Sequence, residues 1–170
     1  MAGERIHSFP PIVDSACRVL VLGTMPGIAS LRQAQYYGHE RNLFWPILFA
    51  LFERVCPADY AARTAFLLGH HIALWDVLDS CVRRTSADSD IREAQANPIS
   101  ELLQAHPTIE AVFCNGQVAA GLYRRHIAGR LAKSLPMTVL PSTSPAYAIP
   151  AERKLAGWQP LRQYLEIFLE

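Results

Sequence analysis

The run Val19-Leu20-Val21-Leu22-Gly23 constrains the fold more than any other segment. A β-branched, apolar run that ends in glycine reads as a buried strand feeding a turn. The 22 residues from Thr24 to Trp45 then carry few helix signals but many hydrogen-bonding and aromatic side chains, among them Ser30, Gln35, Tyr36, Tyr37, His39 and Asn42. A long polar and aromatic loop at the carboxyl end of a parallel strand is where open α/β sheets place their ligands.

The remaining chain repeats the strand signal at intervals. Arg18–Leu22 is the first expected strand, His71–Val77 the second, Glu110–Cys114 the third and Met137–Leu140 the fourth. Between them lie helical stretches: Asn42–Val55 with Pro46 in its first turn, Ala58–Leu68, Pro98–Gln104, and a helix from Asn115-Gly116 to about Gly129. A final helix from Ala151 onward is expected to break near Pro160, and the polar stretch Leu78–Asn97 to be a loop with a short helix. Strands alternating with helices imply βαβ units with right-handed crossovers. The expected architecture is α/β: one three-layer α/β/α domain over residues 1–170, with a central four-stranded, mostly parallel sheet. The long loops after the first and fourth strands then emerge at one edge and face each other across a cleft.

Composition narrows the class. Half of the residues are apolar and 18% are charged, as in a compact enzyme. A net charge of +1 excludes a strongly basic chain but leaves room for a local basic face, for which Arg83-Arg84, Arg124-Arg125 and Arg153-Lys154 are the candidates. Cys17, Cys56, Cys81 and Cys114 are too far apart in sequence for a zinc or iron–sulfur motif, so no metal site is expected. Cys17 and Cys114 lie on apparent strands and are expected to pack as small apolar residues. The opening stretch carries charge and two prolines where a secretory leader needs an apolar run, and nothing resembles a disulfide framework, so a cytoplasmic location is expected.

Two loops carry a specific pattern. The first holds Gly23, Pro26, Gly27, Ser30 and Tyr36-Tyr37-x-His39-x-x-Asn42-x-Phe44-Trp45; the second is Leu140-Pro141-Ser142-Thr143-Ser144-Pro145-Ala146-Tyr147-Ala148. Together they resemble the uracil-DNA glycosylase superfamily, and most closely its hypoxanthine-DNA (deoxyinosine) glycosylase family. The resemblance covers nearly the whole chain, and it implies an enzyme that flips a damaged base out of DNA and hydrolyses its N-glycosidic bond. Two positions depart from the pattern. Related uracil enzymes carry Asp or Asn where Met25 stands here, and a thioether neither takes a proton nor aims a water. Leu140 stands where other families place His or Asn before the Pro-Ser step.

By resemblance, Asn42 carries activity, through an amide that both donates and accepts; the plainer alternative is that it only caps the helix beginning at Leu43. Tyr37 falls at the position that stacks on the flipped base, and one of Tyr36 and Tyr37 is expected to fill the core instead. Asp76 ends the second strand, where relatives read the base edge. A carboxylate accepts only, so it suits the N1–H of hypoxanthine and repels the N1 of adenine; a structural Asp bonded to loop amides is the alternative. A backbone N–H of the turn holding Met25 and Gly27 is a candidate donor to the base O6. His39 is a candidate for phosphate binding or leaving-base assistance, or else a hydrogen-bonded turn residue. Ser142, Thr143 and Ser144 are candidates for a DNA phosphate, with Pro145 or Tyr147 as the wedge that fills the vacated stack. Asn115-Gly116 reads as a strand-to-helix turn, and Phe44, Trp45, Trp75 and Phe113 as core.

The expected activity is therefore a monofunctional DNA glycosylase for deaminated bases, chiefly hypoxanthine, that initiates base-excision repair as a monomer on double- or single-stranded DNA. The only lysines, Lys133 and Lys154, lie outside the first motif, so Schiff-base strand cleavage is not expected, nor is a cofactor. The rivals are a uracil-directed or mismatch-specific uracil glycosylase, a non-catalytic lesion binder, and an enzyme acting on free nucleosides.

Overall fold

The structure is a computed structural model that describes residues 3–169. In chain order its elements are β1 (Arg5–His7), β2 (Val19–Gly23), α1 (Ile28–Gln33), α2 (Phe44–Leu51), α3 (Tyr60–Gly69), β3 (Ile72–Asp76), β4 (Leu78–Val82), β5 (Arg92–Ala96), α4 (Ile99–Ala105), β6 (Ala111–Asn115), α5 (Gln117–His126), β7 (Met137–Leu140) and α6 (Ala151–Leu165). The central sheet has the order β3-β2-β6-β7, and every pairing in it is parallel.

Alternation along β2 explains why this sheet needs helices on both faces. Val19 and Val21 join one core with Ile72, Leu74, Ala111 and Phe113, closed by Phe44, Trp45 and Leu48 of α2 and Trp158, Leu161 and Leu165 of α6. Leu20 and Leu22 join the other with Ala73, Trp75, Val112 and Cys114, closed by Ile99 and Leu103 of α4 and Ala119, Ala120 and Tyr123 of α5. The two cores are the two interfaces of a three-layer α/β/α fold. Each fully buried large aliphatic or Phe side chain in them contributes roughly 1.5–3 kcal/mol. Phe44, Trp45, Trp75 and Phe113 all lie in these cores. Cys114 on β6 and Cys17, two residues before β2, are fully buried, and burial pushes both thiols up to about 12.

Four expectations need correction. Leu78–Asn97 is not a loop with a short helix: β4 and β5 form an antiparallel hairpin, which β1 extends into a second sheet of order β1-β4-β5. The hairpin escapes a pattern reading because β5, Arg-Glu-Ala-Gln-Ala, is solvent-facing along nearly its whole length. Its apolar support is small, centred on Met25, Leu78 and Cys81. The long loop after β2 contains the short helix α1. The helix expected to reach Val55 ends at Leu51, where Glu53 turns to a φ of 56°. Finally, α6 passes through Pro160 without a break. Proline there costs one hydrogen bond, to the carbonyl of Ala156, and both residues face solvent, where water can serve that carbonyl.

α6 is pressed against the loop after β7. A Cβ on Gly157 would sit 2.3 Å from Cγ of Pro141, and Trp158 Nε1 donates to the Pro141 carbonyl at 2.8 Å. Gly121 of α5, by contrast, has open space at that position. Gly157→Ala is expected to destabilise the protein by about 1–3 kcal/mol through overpacking, whereas Gly121→Ala stabilises it by about 0.5–1 kcal/mol through helix propensity. Urea denaturation of the two variants measures both signs.

Candidate active site

Because β2, β3, β6 and β7 are parallel, their carboxyl ends share one edge of the sheet, and a cavity of about 650 Å³ opens there. Its wall comes from five stretches of chain: the β2–α1 turn, the loop before α2, Asp76 at the end of β3, Asn115 at the end of β6, and the loop after β7. Residues 86–89 of the β4–β5 connection complete it. The sequence candidates Met25, Gly27, Tyr37, His39, Asn42, Asp76, Ser142, Thr143, Ser144, Pro145 and Tyr147 all line this one cavity. Leu140 does not; it is buried in the core.

The tyrosine pair divides as expected in one respect. Tyr36 fills the core: its hydroxyl donates to the Pro10 carbonyl at 2.7 Å, its N–H donates to Tyr60 Oη at 3.0 Å, and its carbonyl accepts from Trp45 Nε1 at 2.8 Å. With Tyr36 held so tightly, the chain turns at Tyr37 with a φ of 55°, a conformation rare for a bulky side chain. The Tyr37 ring stacks on Phe44 with centroids 4.1 Å apart, and its hydroxyl is buried without a hydrogen-bond partner. That hydroxyl and Asp76 Oδ1 converge on Gly23, where a Cβ would lie 2.6 Å from one and 2.5 Å from the other. Any side chain at that point would push the Asp76 carboxyl and the Tyr37 hydroxyl from their places.

Asp76 is almost fully buried, and its Oδ2 has no partner. It is therefore not a structural Asp bonded to loop amides. Burial pushes its carboxyl up to about 7; the Asp88 charge adds to the rise and the Arg83 guanidinium opposes it. Burial also raises Tyr37, helped by the Asp76 charge and opposed by Asn115. Unpaired buried polar groups cost free energy that folding alone does not repay, and they concentrate at functional sites.

The cap position of α2 is Leu43, so Asn42 stands one residue before it; its Oδ1 still accepts the Phe44 N–H, the first of the helix, at 3.0 Å. Its NH2 remains without a hydrogen-bond partner among the described residues. The neighbouring Leu43 N–H donates to the Thr143 carbonyl at 3.1 Å, which ties the two motif loops together. Thr143 is fastened in turn to β6, its N–H donating to Asn115 Oδ1 at 3.0 Å and its hydroxyl accepting from Asn115 Nδ2 at 2.9 Å. Asn115 thus does more than turn the chain; its position after an apolar strand and before Gly116 was the available signal. His39 Nδ1 accepts the Arg41 N–H at 3.1 Å, leaving Nε2 as the donor of the ring. In the turn after β2 the Ile28 N–H is taken by Ser86 Oγ at 2.9 Å. Candidate donors to a base oxygen there are the amides of Met25 and Gly27.

In two of the expected basic pairs one member turns inward while the other, Arg84 or Arg153, stays exposed. Arg83 is buried and donates through Nη2 to the Pro26 carbonyl; Lys154 is buried and donates through Nζ to the Ser144 carbonyl at 2.9 Å, over the Tyr147 ring. Each buried cation holds a backbone carbonyl of one motif loop, a role that no local sequence pattern announces. Residues 86–89 were also missed, since their place depends on the polar hairpin. Among the described residues no three His, Cys, Asp or Glu side chains converge as a metal site, and no helix is long and apolar enough to cross a membrane.

Comparison with known proteins agrees with this geometry. A family model described as the uracil DNA glycosylase superfamily matches residues 10–167. A Methanosarcina barkeri protein named hypoxanthine DNA glycosylase is 35% identical over 112 residues, covering 65% of this chain and 71% of its own. A Methanosarcina acetivorans protein of the same name is 31% identical over 154 residues, covering 90% of this chain and 95% of its own. A solution NMR structure of a candidate uracil DNA glycosylase from Methanosarcina acetivorans matches with a TM-score of 0.82 at 29% identity, over 96% of this chain and 99% of that one. The fold, the paired loops at the carboxyl edge and these matches along the chain agree: this protein belongs to the uracil DNA glycosylase superfamily.

Proposed function

We propose that the chain is a monofunctional DNA glycosylase that removes deaminated bases, chiefly hypoxanthine, from DNA as the first step of base-excision repair, acting as a monomer in the cytoplasm. The observation that carries this reading is the buried, unpaired Asp76 carboxyl in a cavity it shares with Asn42 and Tyr37. A nucleotide flipped from the helix brings its base edge into such a cavity. Hypoxanthine presents N1–H as donor and O6 as acceptor. Ionised Asp76 accepts the first, and a backbone amide at Met25 or Gly27 donates to the second. Adenine presents a lone pair at N1 and is repelled by the same carboxylate. Uracil shares the lactam edge of hypoxanthine, which makes it the second substrate to test.

The remaining groups support this placement. Tyr37, backed by Phe44, offers its free face to the base, a stack worth about 1–3 kcal/mol. Ser142, Ser144 and the Nε2 of His39 suit the phosphates that flank the flipped nucleotide, whereas Thr143, expected at a phosphate, is fully buried and bonded to Asn115 and holds the loop instead. Tyr147 is 46% exposed and Pro145 stands beside it at the surface, as a wedge into the base stack requires. The Asn42 NH2 donates to charge that develops on the departing base.

Single-turnover assays on duplexes containing deoxyinosine, deoxyxanthosine or deoxyuridine test the substrate. Hypoxanthine release is expected to be fastest. Release of uracil alone would sink the hypoxanthine assignment, and tight lesion binding with no free base would leave only a binding protein. Asn42→Ala is expected to slow base release about 100-fold or more, as the loss of a preorganised donor does, and to cost about 1 kcal/mol of stability through the lost hydrogen bond to the Phe44 N–H. Near-normal cleavage would remove Asn42 from the chemistry.

Asp76 also makes a pH prediction. Its folded pKa of about 7 lies above the roughly 3.9 of an unfolded Asp. Between those values the folded chain holds the extra proton, so stability falls as pH rises from about 4 through about 7. At about 1.4 kcal/mol per tenfold change in proton affinity, the loss is on the order of 4 kcal/mol at most. Asp76→Asn is expected to raise the thermal midpoint at pH 8 and to match wild type near pH 4, while Asp76→Ala slows hypoxanthine release about 10- to 100-fold through the lost charged hydrogen bond. Parallel melting curves and single-turnover rates separate the two effects.

A further inference from the structure

Charge that develops on a departing base needs a donor whose direction is fixed before the bond breaks. In the turn after β2, contacts from one side fix that direction. The Gly23 and Thr24 carbonyls accept the N–H groups of Val77 and Leu78 at 2.8 and 3.2 Å, and the Pro26 carbonyl accepts from Arg83 Nη2. All three carbonyls are thus turned toward β4 and the residues that flank it. Val77, Leu78 and Arg83 do not line the cavity, whereas Gly23, Thr24, Pro26 and Gly27 do. The described residues contain no cis peptide, and in a trans peptide the N–H points opposite to the carbonyl of the same unit. The Gly27 N–H shares its unit with the Pro26 carbonyl. It is therefore aimed away from Arg83 and into the cavity, and it has no hydrogen-bond partner among the described residues.

Packing alone does not account for Arg83. It is 6% exposed, its Nε and Nη1 are buried without partners, and it forms no ion pair among the described residues. A buried guanidinium joined to one neutral carbonyl is costly to fold, and an apolar side chain of similar volume would fill the place at less cost. Its charge does reach the site: burial raises the Asp76 carboxyl, and Arg83 draws it back. A charged donor on a carbonyl also polarises the peptide, which strengthens the N–H of that unit as a donor.

We propose that Arg83 is a positioning residue for base release: by holding the Pro26 carbonyl, it aims and polarises the Gly27 N–H toward the O6 of hypoxanthine. As the C1′–N9 bond breaks, its electron pair leaves on the base, and conjugation carries part of the charge to O6, where that N–H meets it. Water adds to C1′ and gives a proton to solvent, and the base takes a proton from solvent. Arg83 touches none of the reacting atoms. The assignment rests on the glycosylase reading above, and it makes Gly27, rather than Met25, the donor to O6.

The test uses the full chain and two duplexes. One contains deoxyinosine; the other contains its 2′-fluoro analogue, whose electronegative substituent blocks the oxocarbenium-like path and leaves the base attached. Arg83→Met is expected to slow single-turnover hypoxanthine release about 10- to 100-fold, with duplex affinity within about threefold of wild type. In the 2′-fluoro complex, infrared spectra of hypoxanthine labelled with carbon-13 at C6 read the hydrogen bond to O6. The C6=O stretch is expected to fall when wild type binds and to return toward its free-duplex position in Arg83→Met. A merely structural role would not move that band at unchanged affinity. Arg83→Gln, a donor without charge, is expected to lie between the two, and it carries the comparison if Arg83→Met does not fold. A wild-type rate in a folded variant overturns the assignment, and so does a slowed variant whose carbonyl band matches wild type. If wild type releases no hypoxanthine, the glycosylase reading fails and this assignment falls with it; release by wild type with an unmoved band in the variants overturns Arg83 alone.

Discussion

Gly23 stands opposite Asp76 at the ends of two parallel strands, and the site depends on the side chain that is missing there. The register of β2 against β3 is set by apolar residues that alternate between two cores, so it cannot slip without turning both faces of the sheet inside out. That rigidity delivers a carboxyl to a place where water does not solvate it. The free-energy cost of Asp76 is borne by the cores on either side of the sheet, and the partner it lacks inside the protein is one that a substrate can supply.

Around that fixed point the loops are held by polar contacts in addition to the packing of Tyr36, Tyr37 and Met25. Thr143 joins the loop before α2 to the end of β6, Arg83 holds the turn after β2, and Lys154 holds the loop after β7. Hydrogen bonds to charged groups are stronger than neutral ones, and in a site shielded from solvent they order backbone that has no core of its own. Tyr37 shows the result, a left-handed residue between a tightly bound tyrosine and a ring stack. Such a conformation persists only where the surroundings over-determine it.

The central sheet was legible in the sequence because β2, β3 and β6 are apolar runs buried along nearly their whole length, a signal no turn or loop imitates, and the half-buried β7 follows them at the edge. The cavity was legible because its two main loops carry unusual residue types at fixed spacing after two of those strands. Three kinds of feature were not. The strand β5 is polar and obtains its pairing from β4 rather than from burial. Proline 160 sits inside a helix because its freed carbonyl faces water, a circumstance that only the tertiary structure decides. Arg83 and Lys154 look like surface charge in a sequence, and nothing local says that a distant carbonyl awaits each of them.

The second sheet, β1-β4-β5, has its own small apolar support and meets the site at two places, where Leu78 and Cys81 of β4 pack on Met25 and where the β4–β5 connection lines the cavity. Residues 86–89 therefore belong to the cavity but not to the architecture that carries the base-reading edge. Length and chemistry in that connection can vary while the parallel sheet stays as it is. In a family built on one scaffold, such an appendage is a place where new substrate preferences can be tried at little risk to folding, and a protein engineer who wished to retune this enzyme would begin there.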